Sequence, residues 1–183
     1  MNDPKEIIKK LAALKTWQKT TFPRLAAIRA EAFFKNNFRV QGYTDKGVKA
    51  WTKRKADDRK GGAILIGKQS GLLRDSIRAI VSGNSIRVET SRIYAQIHNE
   101  GGTITQTVTP KQRGFFWAKH HEAKERNQLT DAERWKRMAL SKTLTINMPQ
   151  RQFMPIPNTG AIPFELAEIL RGDVEKKLSS LFV

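Results

Sequence analysis

The chain has 183 residues, 39% hydrophobic and 28% charged, a size and balance that suit one folded domain, with or without an appended arm, and exclude a disordered tail. No stretch approaches the roughly 18 uninterrupted apolar residues of a spanning helix, and the opening MNDPKEIIKK lacks a signal peptide's apolar run, so a cytoplasm is the expected place of synthesis. The lack of cysteine excludes disulfides, thiolate nucleophiles and cysteine-held zinc, while the formal net charge of +17 favours a polyanion or an acidic protein surface as partner.

Asp3, Pro4 and Glu6 read as a helix start, because a side-chain oxygen caps free amides and proline suits the first helical position. Ile7, Ile8, Leu11 and Leu14 follow at helical spacing, which predicts a helix to about Trp17 with this stripe in the core. After Pro23, the residues Leu25, Ile28, Ala32, Phe34 and Phe38 predict a second helix to about Phe38. Residues 43–62 are rich in glycine and cations around Trp51, the composition of an exposed loop. Its contact candidates are Lys46, Lys49, Trp51, Lys53, Arg54, Lys55, Arg59 and Lys60: cations meet phosphates or carboxylates, and an aromatic ring among them suits stacking on a base.

Ser70 to Ile80 carries Leu72, Leu73, Ile77 and Ile80 at helical spacing. Alternation then predicts strands over 85–90, 92–98 and 103–109, with a turn at Asn99, Glu100, Gly101 and Gly102, and a further strand over 143–148. Between them, residues 111–142 read as an inserted helical arm, with Thr130 and Glu133 as a capping box. Residues 151–163 hold three prolines, and Phe164 to Phe182 resumes helical spacing.

Catalytic motifs fit poorly. Gly62 to Lys68 matches seven positions of a phosphate-binding loop, but Gln69 stands where a hydroxyl must hold magnesium, and Ala63, Ile64, Leu65 and Ile66 suit burial. His98, Asn99 and the following glycines faintly resemble a histidine-nuclease core, yet His120 and His121 are adjacent and point about 100° apart on a helix. Asp57, Asp58, Asp75, Glu89 and Glu100 show no spacing of a metal cluster or an acid–base pair.

Four blocks in order along most of the chain carry a family resemblance: Phe33 to Phe38 with Gly42 and Trp51; Ile64 and Leu65 with Ser70 to Ile77; Tyr94 to Gly102; and Arg151 to Pro155. Through them the sequence resembles the phage virion morphogenesis proteins, the tail-completion family of Mu-like phages and prophages; Gln152 departs from the proline usual there. The resemblance implies a structural protein of the head–tail joint or tail end, without catalysis or cofactor, found in the virion after assembly in the host cytoplasm. Its implied partners are phage connector and tail proteins, further copies of itself in a ring, expected to be hexameric, and packaged DNA in the channel; no membrane or small-molecule substrate is implied. On the matched positions, Gly71, Gly101 and Gly102 are expected to permit tight turns. Leu72, Leu73, Ile77, Tyr94, Ile97 and Phe153 are expected in the core, and Asn99 and Glu100 at a subunit contact.

The combined expectation is one α+β domain over 1–183, with an antiparallel sheet of about four strands packed against the N- and C-terminal helices and residues 111–142 as an inserted helical arm. A free basic nucleic-acid-binding protein is the alternative, favoured by the charge and by the Trp51 region.

Overall fold

The computed structural model describes residues 3–54, 63–66, 71–83, 85–156 and 162–182. Lys55, Arg59 and Lys60, and Gly62, Gly67, Lys68 and Gln69 of the phosphate-loop-like run, lie outside the described residues. In chain order the elements are α1 (Pro4–Thr20), α2 (Phe22–Val40), β1 (Gly42–Thr44), β2 (Val48–Ala50), α3 (Leu72–Asp75), β3 (Ile77–Ser82), β4 (Ser85–Thr90), α4 (Ala95–Glu100), β5 (Gly102–Thr107), α5 (Pro110–Glu125), α6 (Leu129–Leu140), β6 (Thr143–Met148) and α7 (Phe164–Phe182). They form two compact units, residues 1–100 with 150–183, and residues 101–149.

In the first unit, Asp3 caps α1 by accepting from the Lys5 amide at 3.0 Å, and Pro23 starts α2 rather than breaking it. Helix α2 is the centre. Its Ala26, Ala30, Phe34, Asn37 and Phe38 form one buried stripe, repeating every three or four residues as a core-facing helix requires. Around it gather Tyr43, Trp51, Leu73, Ile77, Ala95, Phe153 and Leu166. Phe38 sits at the middle, its ring 5.4 Å from Trp51 and 5.1 Å from Phe153, and burial of each such ring contributes about 1.5–3 kcal/mol. The β1–β2 hairpin needs Gly42, since a Cβ there would stand 2.6 Å from the Lys49 carbonyl oxygen. Helix α7 packs on α1 and α2, and its Asp173 receives two hydrogen bonds from Arg29 at 2.9 and 3.1 Å.

The second unit is a ribbon of β5 and β6 with a hairpin of α5 and α6 between them. Val108, Phe116 and Ala139 form its core, with Trp117, Trp135, Met138 and Leu144 packed against them. His120 is buried, with Nδ1 at 2.8 Å from the Ala132 carbonyl oxygen, so its ring ties α5 to α6.

The α+β class is as expected, but the single four-stranded sheet is not: the strands form three separate antiparallel pairs, β1–β2, β3–β4 and β5–β6. Further expectations fail locally: the helical spacing over 70–80 gives only the four-residue α3, and Ile77 and Ile80 stand in strand β3. The segment predicted as a strand over 92–98 is largely α4, which buries Ala95 and Asn99, four residues apart on one helical face. The capping box lies at Thr109 and Gln112, whose side chains each satisfy the other's backbone amide, whereas Gln128 stands at the α6 N-cap without a side-chain bond. Helix α1 buries no residue, and Ile8 and Leu11 are exposed, so the stripe expected in the core is only partly covered.

Candidate docking cleft

The structure gathers the third and fourth sequence blocks at one place, around residues 151–154. This segment has no regular secondary structure, so its buried backbone groups need partners from elsewhere. Asn99 of α4 accepts from the Phe153 and Met154 amides, both at 2.9 Å. The Arg151 amide donates to the His98 carbonyl at 2.8 Å. From α2, Asn37 donates to the Phe153 carbonyl at 3.1 Å while its own carbonyl oxygen accepts from the Thr44 amide and hydroxyl. The Trp51 indole donates to the Gln152 carbonyl at 2.7 Å. Thus α2, the strand-following segment at Trp51 and α4 all clamp one stretch of backbone.

Beside this clamp opens a cleft of about 370 Å³. Its apolar wall comes from Ile64, Leu65, Ile66, Leu72 and Leu73. Arg54, Tyr94, His98 and Arg151 line the rest. Arg151 is only 8% exposed, and its Nε donates to the neutral Thr52 carbonyl at 3.1 Å. Arg54 donates to the Ala63 carbonyl at 3.0 Å, fixing the apolar wall to the chain before it. Burial, and then repulsion from Arg54, lowers the Arg151 pKa from its ordinary value. His98 stands edge-on to Tyr94, and its Nδ1 is buried without a hydrogen-bond partner. Burial, followed by the nearby Arg151 charge, pushes the His98 pKa down from its ordinary value.

Several expected site residues stand elsewhere than the sequence suggested. Trp51 is 6% exposed and committed to Phe38 and Gln152, so its ring is not available to stack on a base. Asn99 is 3% exposed and lies in α4, where it binds the chain's own backbone instead of facing a neighbour. Glu100 ends α4, with its carboxylate accepting from Gln96 at 3.2 Å. Leu73, Ile77 and Phe153 are in the core, and Ile97 is half-buried. Leu72 and Tyr94, expected in the core, are exposed to the cleft. Gly101 and Gly102 take φ values of +74° and +134°, which the turn into β5 requires, whereas Gly71 has an ordinary φ of −65°.

Among the basic candidates, Lys46, Lys49 and Lys53 are exposed and Arg54 is half-buried at the cleft. The Lys46 and Gly47 amides donate to the Glu165 carboxylate at 3.1 and 2.7 Å, tying the β1–β2 turn to α7. Sequence reasoning missed Asn37 and His98 as parts of one neighbourhood. Asn37 carried a usable signal, a polar residue inside the apolar stripe of α2. Among the described residues, no group of three or more His, Asp or Glu side chains is placed to hold a metal ion, and no helix is long and apolar enough to cross a membrane.

A model of the phage virion morphogenesis family matches residues 34–171, from Phe34 of the α2 stripe into α7. The chain belongs to the phage virion morphogenesis family. The matched region holds both compact units' elements from α2 to the first part of α7, and includes the clamp and the cleft. No curated protein and no solved structure matches the chain. Membership gives the protein a structural role in the assembly of a phage particle.

Proposed function

We propose that this virion morphogenesis protein completes the joint between head and tail, or the tail end, by docking on connector and tail proteins as one subunit of a ring, without catalysing a reaction. The observation that carries this reading is the use made of polar side chains within the family-matched region. Asn37, Trp51 and Asn99, together with the Nε of Arg151, bond to main-chain groups of their own chain, which fixes the shape of one surface. The exposed cations Lys46, Lys49 and Lys53 lie beside that clamp and suit an acidic ring. A ribbon such as β5–β6, whose Thr103, Thr105, Thr107, Thr143 and Thr145 are all exposed, offers free strand edges for overlap with neighbours.

The double variant K49E/K53E tests the docking face, because both side chains are exposed and the fold does not depend on them. Loss of plaque formation with normal folding, measured by circular dichroism and titre, is expected. An unchanged titre would remove these lysines from any docking role.

A second reading, binding of free nucleic acid, is favoured by the net charge of +17. It predicts tight duplex binding whose affinity falls steeply as salt rises. Weak binding with a shallow salt slope supports the assembly reading instead.

A further inference from the structure

Arginine is almost never buried without a charged partner, because removing the guanidinium from water is costly. Arg151 breaks that rule: among the described residues its side chain hydrogen-bonds only to the neutral Thr52 carbonyl, and the charge beside it is a second cation, Arg54, on the same cleft wall. His98 lines the same cleft, with its Nδ1 buried and without a hydrogen-bond partner. A guanidinium whose hydrogen bond goes to a neutral carbonyl, on the wall of a cleft, defines the chemistry that would complete it: an anion with more than one acceptor oxygen.

The rest of the lining decides which anion. Ile64, Leu65 and Leu72 face the same space, and they suit apolar side chains rather than a hydrated phosphodiester. At about 370 Å³ the cleft admits a few side chains, near the lower end of the ~300–1,000 Å³ usual for binding sites, and not a duplex.

We propose that this cleft seats a short segment of a partner protein in which an aspartate or glutamate stands among apolar residues, its carboxylate accepting from Arg151 while the neighbours cover Leu65 and Leu72. The inference rests on the docking reading above for who the partner is, but not for what the cleft recognises. The segment's negative charge complements both the cleft and the chain's overall excess of cations.

The test uses the full-length protein with nitrogen-15 labelling, and three probes: the blocked peptide acetyl-Leu-Glu-Leu-amide, its Leu-Gln-Leu counterpart, and a short DNA duplex. The Glu peptide is expected to move the His98 imidazole and Arg151 guanidinium signals saturably, in the millimolar range natural for so small a ligand. The Gln peptide is expected to bind at least tenfold more weakly. L72E places a carboxylate at the exposed rim and is expected to weaken the Glu peptide at least tenfold without unfolding the chain, since Leu72 is half exposed. No saturable change with the Glu peptide, equal effects of the two peptides, or movement of the same signals by DNA would each overturn the proposal. The readout is independent of particle assembly, so failure here leaves the docking reading standing, and a normal particle in the absence of the protein would leave the cleft's chemistry standing.

Discussion

Replacing Asn99 by alanine removes one acceptor oxygen and strands two donors, the buried Phe153 amide and the partly buried Met154 amide, each 2.9 Å from it in the native protein. A buried donor left without a partner costs about 1–3 kcal/mol, and the partly buried one adds at most as much again, so the pair together costs about 1–6 kcal/mol. That is a large part of the ~5–15 kcal/mol typical of a domain. With a urea dependence of about 1–3 kcal/mol per molar, the midpoint of urea unfolding is expected to fall by at least about 0.3 M. Tryptophan fluorescence follows the transition, since Trp51 is packed on Phe38 and bonded to Gln152 within the same clamp. Asn99→Asp keeps an acceptor for both amides and is expected to lose less than Asn99→Ala. A loss below about 1 kcal/mol in Asn99→Ala would refute the claim that this side chain holds the 151–154 segment in place.

Acidification supplies another prediction through His98, whose folded-state pKa lies below the ordinary 6.5. A depressed histidine favours the folded chain fully above its unfolded value, and that contribution is lost as pH falls from about 6.5 through the folded value. An imidazole titration by NMR should give a midpoint under 6.5, and a midpoint at or above it would contradict the buried, Arg151-facing placement. Gly102→Ala forces a side chain into φ +134° and is expected to destabilise by about 1 kcal/mol or more, read as a lower thermal midpoint; an unchanged midpoint would contradict the turn geometry.

The helices were the most legible part of the sequence, for a physical reason: α2 packs on one side, so burial imposes a period near 3.6 over its 19 residues, while α7 keeps that apolar period although only Leu166 is fully buried. Strands β4 and β6 were legible from alternation, but their partners were not. Pairing of β3 with β4 is local, whereas β5 reaches β6 across an intervening helical hairpin, and side-chain alternation carries no record of which strand lies beside which. Helix α4 was hidden because Ile93, Ala95 and Ile97 alternate as a strand would; the competing signal was the four-residue spacing of Ala95 and Asn99. Trp51 misled through its cationic neighbours. Lys49 and Lys53 remain in solvent while the ring two residues away turns into the core, so local composition described the backbone's exposure and not the indole's. The cleft was only half legible: the blocks at 94–102 and 151–155 contain His98 and Arg151, but their meeting depends on the clamp made by Asn99 and Asn37.

The central claim is that the protein completes the phage particle, and electron microscopy of lysates from a phage or prophage with this gene disrupted tests it most directly. Separate full heads and tails, or tails of abnormal length, are the predicted result, restored to joined particles when the intact gene is supplied. Normal joined particles in its absence would contradict the account and bring the nucleic-acid-binding reading forward.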